Sequence, residues 1–123
     1  MSFQILCWVF VLGGLGTIIR YGFQNMDFLD AAIELLFING FGSFFIAGIY
    51  RLNPQNLAWK TGLTVGFCGG LTTMSAFSAI CVQIFENQSL AVCLLYMMVH
   101  IAFGLFACWF GYGLFCRERG NGM

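Results

Sequence analysis

The sequence predicts an all-α integral membrane protein of four transmembrane helices, the third of them broken. Three observations carry this. Apolar residues make up 60% of the 123 and charged residues only 8%, where a soluble domain averages about 25% charged. Four apolar stretches, at about 3–21, 31–50, 61–85 and 90–115, are separated by short polar segments. Each is near the ~20 residues that cross a ~30 Å hydrocarbon core. The third stretch, uncharged from Thr61 to Phe85, has glycines and threonines gathered at its centre. With one proline and no Ser/Pro-rich linker, 1–123 reads as a single four-helix membrane domain. A formal net charge of zero argues against nucleic acid as a partner.

The first span, about 3–21, carries no basic residue before its apolar run and three more spans follow it. It therefore reads as a transmembrane helix and not as a cleavable signal. Gly13, Gly14 and Gly16 give it a small-residue face for close helix approach. Arg20 ends it, either as an interfacial snorkelling residue or as a fixed positive charge that gathers anions at a vestibule mouth.

Asp27, Asp30 and Glu34 lead into the second span, about 31–50. Asn39 is its notable residue, with Ser43 one turn on and so on the same side. An asparagine at mid-membrane either bonds another helix or offers its two amide donors to an anion. Pro54 lies in the loop that follows, and Lys60 precedes the third span.

Within the third span, Gly66-Phe67-Cys68-Gly69-Gly70-Leu71-Thr72-Thr73-Met74-Ser75-Ala76-Phe77-Ser78 is poor material for an uninterrupted helix. A break there would free backbone carbonyls, which make a cation site in the broken helices of transporters. The same glycines would also serve close packing between helices. In the fourth span, about 90–115, Tyr96, His100 and Gly104 recur every four residues along one face. A lone histidine there fits an interhelical hydrogen bonder better than a ligand or a proton relay. The six cysteines form no Cys-x-x-Cys pair and read as small buried hydrophobes. No nucleophile is paired by spacing with His100, so an enzyme is not expected. Four helices this short enclose no wide path, so an oligomer is expected.

Three motifs in order, Gly13 to Tyr21, Asn39 to Phe44 and Gly66 to Ser78, resemble the Fluc (CrcB) fluoride channels across nearly the whole chain. The resemblance implies an antiparallel, dual-topology-type dimer with two fluoride pores at the subunit interface. It also implies a structural, non-transported Na+ at the dimer centre, held by backbone carbonyls that fall on Gly69 and Thr72. The fluoride pore would be lined by Asn39, Thr73, Met74, Ser75, Phe77, Ser78 and Tyr96, with Arg20 at the anion vestibule. Fluoride is strongly hydrated and needs replacement donors when dried. The asparagine amide and the hydroxyls provide them, and a phenylalanine ring edge adds a weak electropositive contact.

The chain departs from the family's pattern. Phenylalanine is the family's residue at both 74 and 77, three apart and hence on one helix face, and here the first is Met74. Ala76 replaces a usual threonine, Ile80 a frequent acid, and Gly104 takes the place of a fourth-span serine. The expected function is a passive fluoride channel of the bacterial inner membrane that exports cytoplasmic fluoride and reduces its toxicity. The alternatives are a non-conducting or partly degenerate subunit of a heterodimeric channel and a small four-helix proton-coupled exporter. The exporter would need a membrane-embedded carboxylate, and Glu34 sits near a span end. Arg51, Lys60, Arg117 and Arg119 fall on one side of the membrane and Arg20 alone towards the other. That four-to-one bias favours both termini in the cytoplasm; the expected partner is a second copy or an oppositely oriented homologue.

Overall fold

The computed structural model describes residues 2–26 and 29–120, with side chains as far as residue 116. Asp27 lies outside the described residues, as do the side chains of Arg117 and Arg119; of these only the two arginines enter the charge tally. The described residues are all helical or loop, and four helical stretches are long and apolar enough to cross a membrane: Phe3–Gln24, Ala31–Leu52, Leu57–Asn87 and Leu90–Cys116. Each reaches past the limits expected from hydropathy.

Helix α1 spans Phe3–Gln24 and α2 spans Ala31–Leu52. Asp30 caps α2 by accepting from the Ala32 N–H at 2.9 Å, a contact that suits the positive end of the helix. The helix stops at Asn53, in the left-handed conformation (φ 46°) that asparagine tolerates. Lys60 Nζ donates to the Asn53 Oδ1 at 2.7 Å, tying the loop closed. Asn56 then caps α3, Leu57–Thr61, through the Trp59 N–H at 3.1 Å. Lys60 consequently lies inside helix instead of before it.

The third stretch continues as a π-helical segment, Gly62–Cys68, followed by the single turn α4, Gly69–Leu71. Thr72 (φ −85°, ψ 156°) and Thr73 (φ −147°, ψ 118°) are extended. Helix resumes as α5, Met74–Asn87, and the chain ends in α6, Leu90–Gly120. π-helical turns are rare and gather at functional sites.

Two packing seams organise these elements. Helix α1 lies along the π-helical segment and α4, and α2 lies along α6. In the first seam, a Cβ on Gly16 would run into the Phe67 carbonyl, and one on Gly70 into the Gly13 carbonyl. The helices meet backbone to backbone, an approach open only to small residues. In the second seam, rings cover two glycines, Phe103 over Gly40 and Phe115 over Gly48, while Gly111 lies against the backbone carbonyl of Phe44. A small core of Leu35, Phe77, Cys81 and Cys93 joins α2, α5 and α6. All six cysteines are free, with Cys68, Cys81 and Cys93 buried and Cys7 and Cys116 exposed. Large apolar side chains such as Phe10, Ile18, Met98 and Trp109 face outward, as a chain surrounded by lipid or by another subunit requires.

Candidate functional site

Thr72 keeps its N–H on the Cys68 carbonyl at 2.9 Å, but the Thr73 N–H and carbonyl, out of the helix, need other partners. Asn39, reaching across from α2, supplies them. Its Oδ1 accepts from the Thr73 N–H at 2.9 Å, and its Nδ2 donates to the Thr73 carbonyl at 3.4 Å. The same Nδ2 lies 3.0 Å from His100 Nε2 on α6. One asparagine thus ties the interruption to a neighbouring helix on each side. It serves as the interhelical bonder and stands at the break at once, and His100 is its interhelical partner.

Thr73 is the N-cap of α5, its Oγ1 accepting from the Ala76 N–H at 3.2 Å. That oxygen also lies 3.0 Å from Ser75 Oγ, so two hydroxyls meet at the start of the helix. Ser75 is exposed. Ser78 is exposed as well and turns its hydroxyl back to the Met74 carbonyl at 3.0 Å. Gly42 leaves room for the Thr72 methyl, which a Cβ there would strike.

The aromatic residues sort differently from their helical spacing. Phe77 is 6% exposed and Met74 is 72% exposed, so these two residues, three apart, do not share an environment. Phe77 turns inward, its ring centroid 4.5 Å from that of His100 and 5.9 Å from that of Tyr96. Tyr96 donates its hydroxyl to the Ala32 carbonyl at 3.2 Å, bracing α6 against the start of α2. Asn39, Thr73, Phe77, Tyr96 and His100 form one cluster, while Met74, Ser75 and Ser78 look outward from the same helix. Gly104 lies one turn further on, beside Ser43 of α2.

The carbonyl side of the break is equally specific. The α-helical donor for the Gly69 carbonyl is the Thr73 N–H, and that group is engaged by Asn39. The Thr72 carbonyl accepts from Arg20 Nη1 at 3.4 Å. Arg20, expected to end the first span, thus reaches the interruption from within α1, which runs on to Gln24. Thr17, which the sequence did not single out, donates to the Gly13 carbonyl at 2.9 Å and approaches the Gly70 carbonyl at 3.4 Å. Its spacing of four from Gly13 was the available signal, since threonine in a helix bonds back one turn. His100 was legible as a polar residue on the Tyr96 face, but its place beside Asn39 depends on how α2 and α6 pack.

The profile of the family described as "CrcB-like protein, Camphor Resistance (CrcB)" matches residues 7–112. The chain is 38% identical over 106 residues to a protein of Klebsiella pneumoniae (strain 342) named fluoride-specific ion channel FluC, covering 80% of this chain and 84% of that one. It is 32% identical over 121 residues to fluoride-specific ion channel FluC 2 of Geobacillus kaustophilus (strain HTA426), covering 92% and 94%. A third relative, of Escherichia coli O17:K52:H18, carries the FluC name and is 39% identical over 106 residues, covering 80% and 83%.

Proposed function

This chain belongs to the CrcB-like family, and from that premise we infer that it is a fluoride-specific ion channel and no enzyme. The observation that carries the reading is its likeness to fluoride-specific channels over most of its length. It is a multi-pass membrane protein, and we place it in the bacterial inner membrane, where it lets cytoplasmic fluoride leave passively and lowers its toxicity.

The pore residues follow from what a dried anion needs. Stripping fluoride of water without replacement hydrogen bonds is prohibitive. The Asn39 amide, the Thr73, Ser75, Ser78 and Tyr96 hydroxyls and the Phe77 ring would supply a graded series of weak contacts, each exchanging its present protein partner for the ion as it passes. Conduction requires such weakness, since an ion held too well does not leave. The start of α5 adds a helix N-terminus, whose partial positive charge favours an anion. Met74 forms part of the lining as an apolar wall, and the Arg20 guanidinium raises the local anion concentration.

A structural Na+ fits the donor set at the break. Gly69 offers a carbonyl relieved of its helical donor, and Gly69 is exposed with open space beside it. The Thr72 carbonyl has a second lone pair beyond the one that meets Arg20. Neutral carbonyl oxygens suit a hard monovalent cation. Two such oxygens do not complete a coordination shell, so the same pair from a second, antiparallel subunit would be needed. The ion would fix two interrupted helices to each other and offset the field of passing anions. The partner is a second copy or an oppositely oriented homologue.

Fluoride efflux from liposomes holding this protein alone, read with a fluoride electrode against a chloride control, tests the reading. Fluoride-selective efflux with no imposed proton gradient is expected. Efflux only under a proton gradient would make it a coupled exporter. Fluoride efflux that appears only with a co-expressed homologue would make the chain a non-conducting subunit. The outward Met74, where the resemblance calls for an aromatic ring, is the observation that favours this second reading.

A further inference from the structure

The two packing seams leave one pair of helices apart. Helix α1 packs along the third span and α2 along α6, so α1 and α2 touch each other little. Between them lies a cleft of about 660 Å³. Ile19 and Phe23 form one wall, Phe41 and Phe45 the other, and Phe67 and Leu71 the floor. Among the described residues, the one ionisable side chain on its lining is Glu34, in the first turn of α2. From Glu34 to Phe45 the helix rises about 16 Å at 1.5 Å per residue. That is close to half of a ~30 Å hydrocarbon core, so the cleft runs from headgroup level through one leaflet.

What fills it follows from where it opens. Residues two apart on a helix do not face the same way. Phe67 and Leu71 each stand two residues from Gly69, whose open, exposed side is where a second subunit would bring its carbonyls. Phe41 likewise stands two residues from Asn39. The cleft is therefore turned away from both the interruption's open side and the polar cluster, and Phe41 and Phe45 are exposed there. Water gains no hydrogen-bond partners in an apolar cleft, whereas an acyl chain matches it in length and chemistry. At the mouth, no cationic side chain among the described residues pairs with the Glu34 carboxylate. We propose that this cleft is a phosphatidylethanolamine site, with one acyl chain between α1 and α2 and the ammonium headgroup on Glu34. The ammonium N–H donates to the carboxylate in a charge-assisted bond. The anionic headgroup of phosphatidylglycerol offers no such donor and is repelled. Glu34 also suits the positive end of α2, but that role gives no preference between headgroups.

The full-length protein in liposomes, with its dimer intact, is photolabelled by phosphatidylethanolamine carrying a diazirine on one acyl chain. Labelled positions are then mapped by mass spectrometry. Labelling is expected to concentrate on Phe41, Phe45 and Phe67, above that of exposed apolar residues of α6 such as Leu105 and Trp109. The same acyl chain on phosphatidylglycerol should label the cleft about two- to fivefold less, the range of one interfacial ion pair. Glu34→Gln should erase that difference and Glu34→Lys should invert it, with labelling of α6 unchanged. Labelling spread evenly over the apolar surface, equal labelling by the two lipids, or a preference that survives Glu34→Gln in assembled protein would overturn the proposal. A cleft left unlabelled in the intact dimer would overturn it as well, since a second subunit then covers that face. The readout needs no ion flow, so a protein that passes no fluoride defeats the channel reading and leaves this test decisive.

Discussion

Asn39 holds both the N–H and the carbonyl of Thr73, so its two possible roles separate by substitution. Asn39→Asp keeps an acceptor for the Thr73 N–H but removes the amide donors and adds a negative charge beside the path. It is expected to assemble, judged by size-exclusion chromatography, and to lose fluoride efflux by about a hundredfold, a loss on the scale of two or more bonds to the ion. Asn39→Ala should lose efflux and some stability together, since the Thr73 N–H is then unpaired. Phe77 calls for a gentler change than truncation. It belongs to the small buried core, and Phe77→Ala would cost about 3–5 kcal/mol through the cavity alone. Phe77→Leu keeps most of the volume and removes only the ring edge. Efflux well below wild type in a folded Phe77→Leu protein supports the ring's part in the path, and unchanged efflux reduces it to packing. At this scale the sequence was informative about chemistry and poor on direction. Met74 and Phe77, three residues apart, imply a shared face, yet one is outward and one inward. Spacing within a helix assigns neighbours, while the surrounding helices decide which neighbours are covered.

The seam between α1 and the third span rests on glycines that differ in what they meet. A Cβ on Gly16 would collide with backbone, while one on Gly14 has open space. Gly16→Ala should therefore lower the melting temperature in detergent, at a cost of about 1–3 kcal/mol. Gly14→Ala should be neutral or slightly stabilising, as alanine is the better helix former. Equal behaviour of the two variants would remove that seam as the reason for the glycines. The interruption at Thr72 and Thr73 invites a test of the cation as well. Replacing Na+ with a bulky organic cation on both sides of the membrane should stop efflux or loosen the dimer, and indifference would remove the site at Gly69 and Thr72. Glycines and paired threonines made a disturbed third span legible from the sequence. The π-helical segment at Gly62–Cys68 was not, because no residue type marks it. Within it Gly66 lies against the backbone of α1, a tertiary contact without a local signature.

For the whole molecule, orientation decides what the chain can pair with. Arg51, Lys60, Arg117 and Arg119 against Arg20 give a four-to-one bias by the positive-inside rule. Reporters fused to the C-terminus should then give cytoplasmic signal only. Comparable cytoplasmic and periplasmic signal from one fusion would show dual insertion and restore the antiparallel homodimer. The helices also differ in reach. The 22-residue first and second spans measure about 33 Å at 1.5 Å per residue, close to the ~30 Å hydrocarbon core. The 31-residue third span would measure about 46 Å, and its extended threonines rise faster still, about 3.3 Å each. Its charged residues, Lys60 and Glu86, stand about 39 Å apart at 1.5 Å per residue, within the ~40–45 Å of an ordinary bilayer with its headgroups, so in a thinner bilayer it leans. Tilt of this kind answers to hydrophobic mismatch. The interruption sits midway along the leaning span and is the one place in it without a helical hydrogen-bond ladder to resist bending. Acyl-chain length thereby becomes an elastic input to the geometry around Asn39. Fluoride efflux measured across a series of thin to thick phosphatidylcholine bilayers should change with thickness, while the dimer itself stays intact.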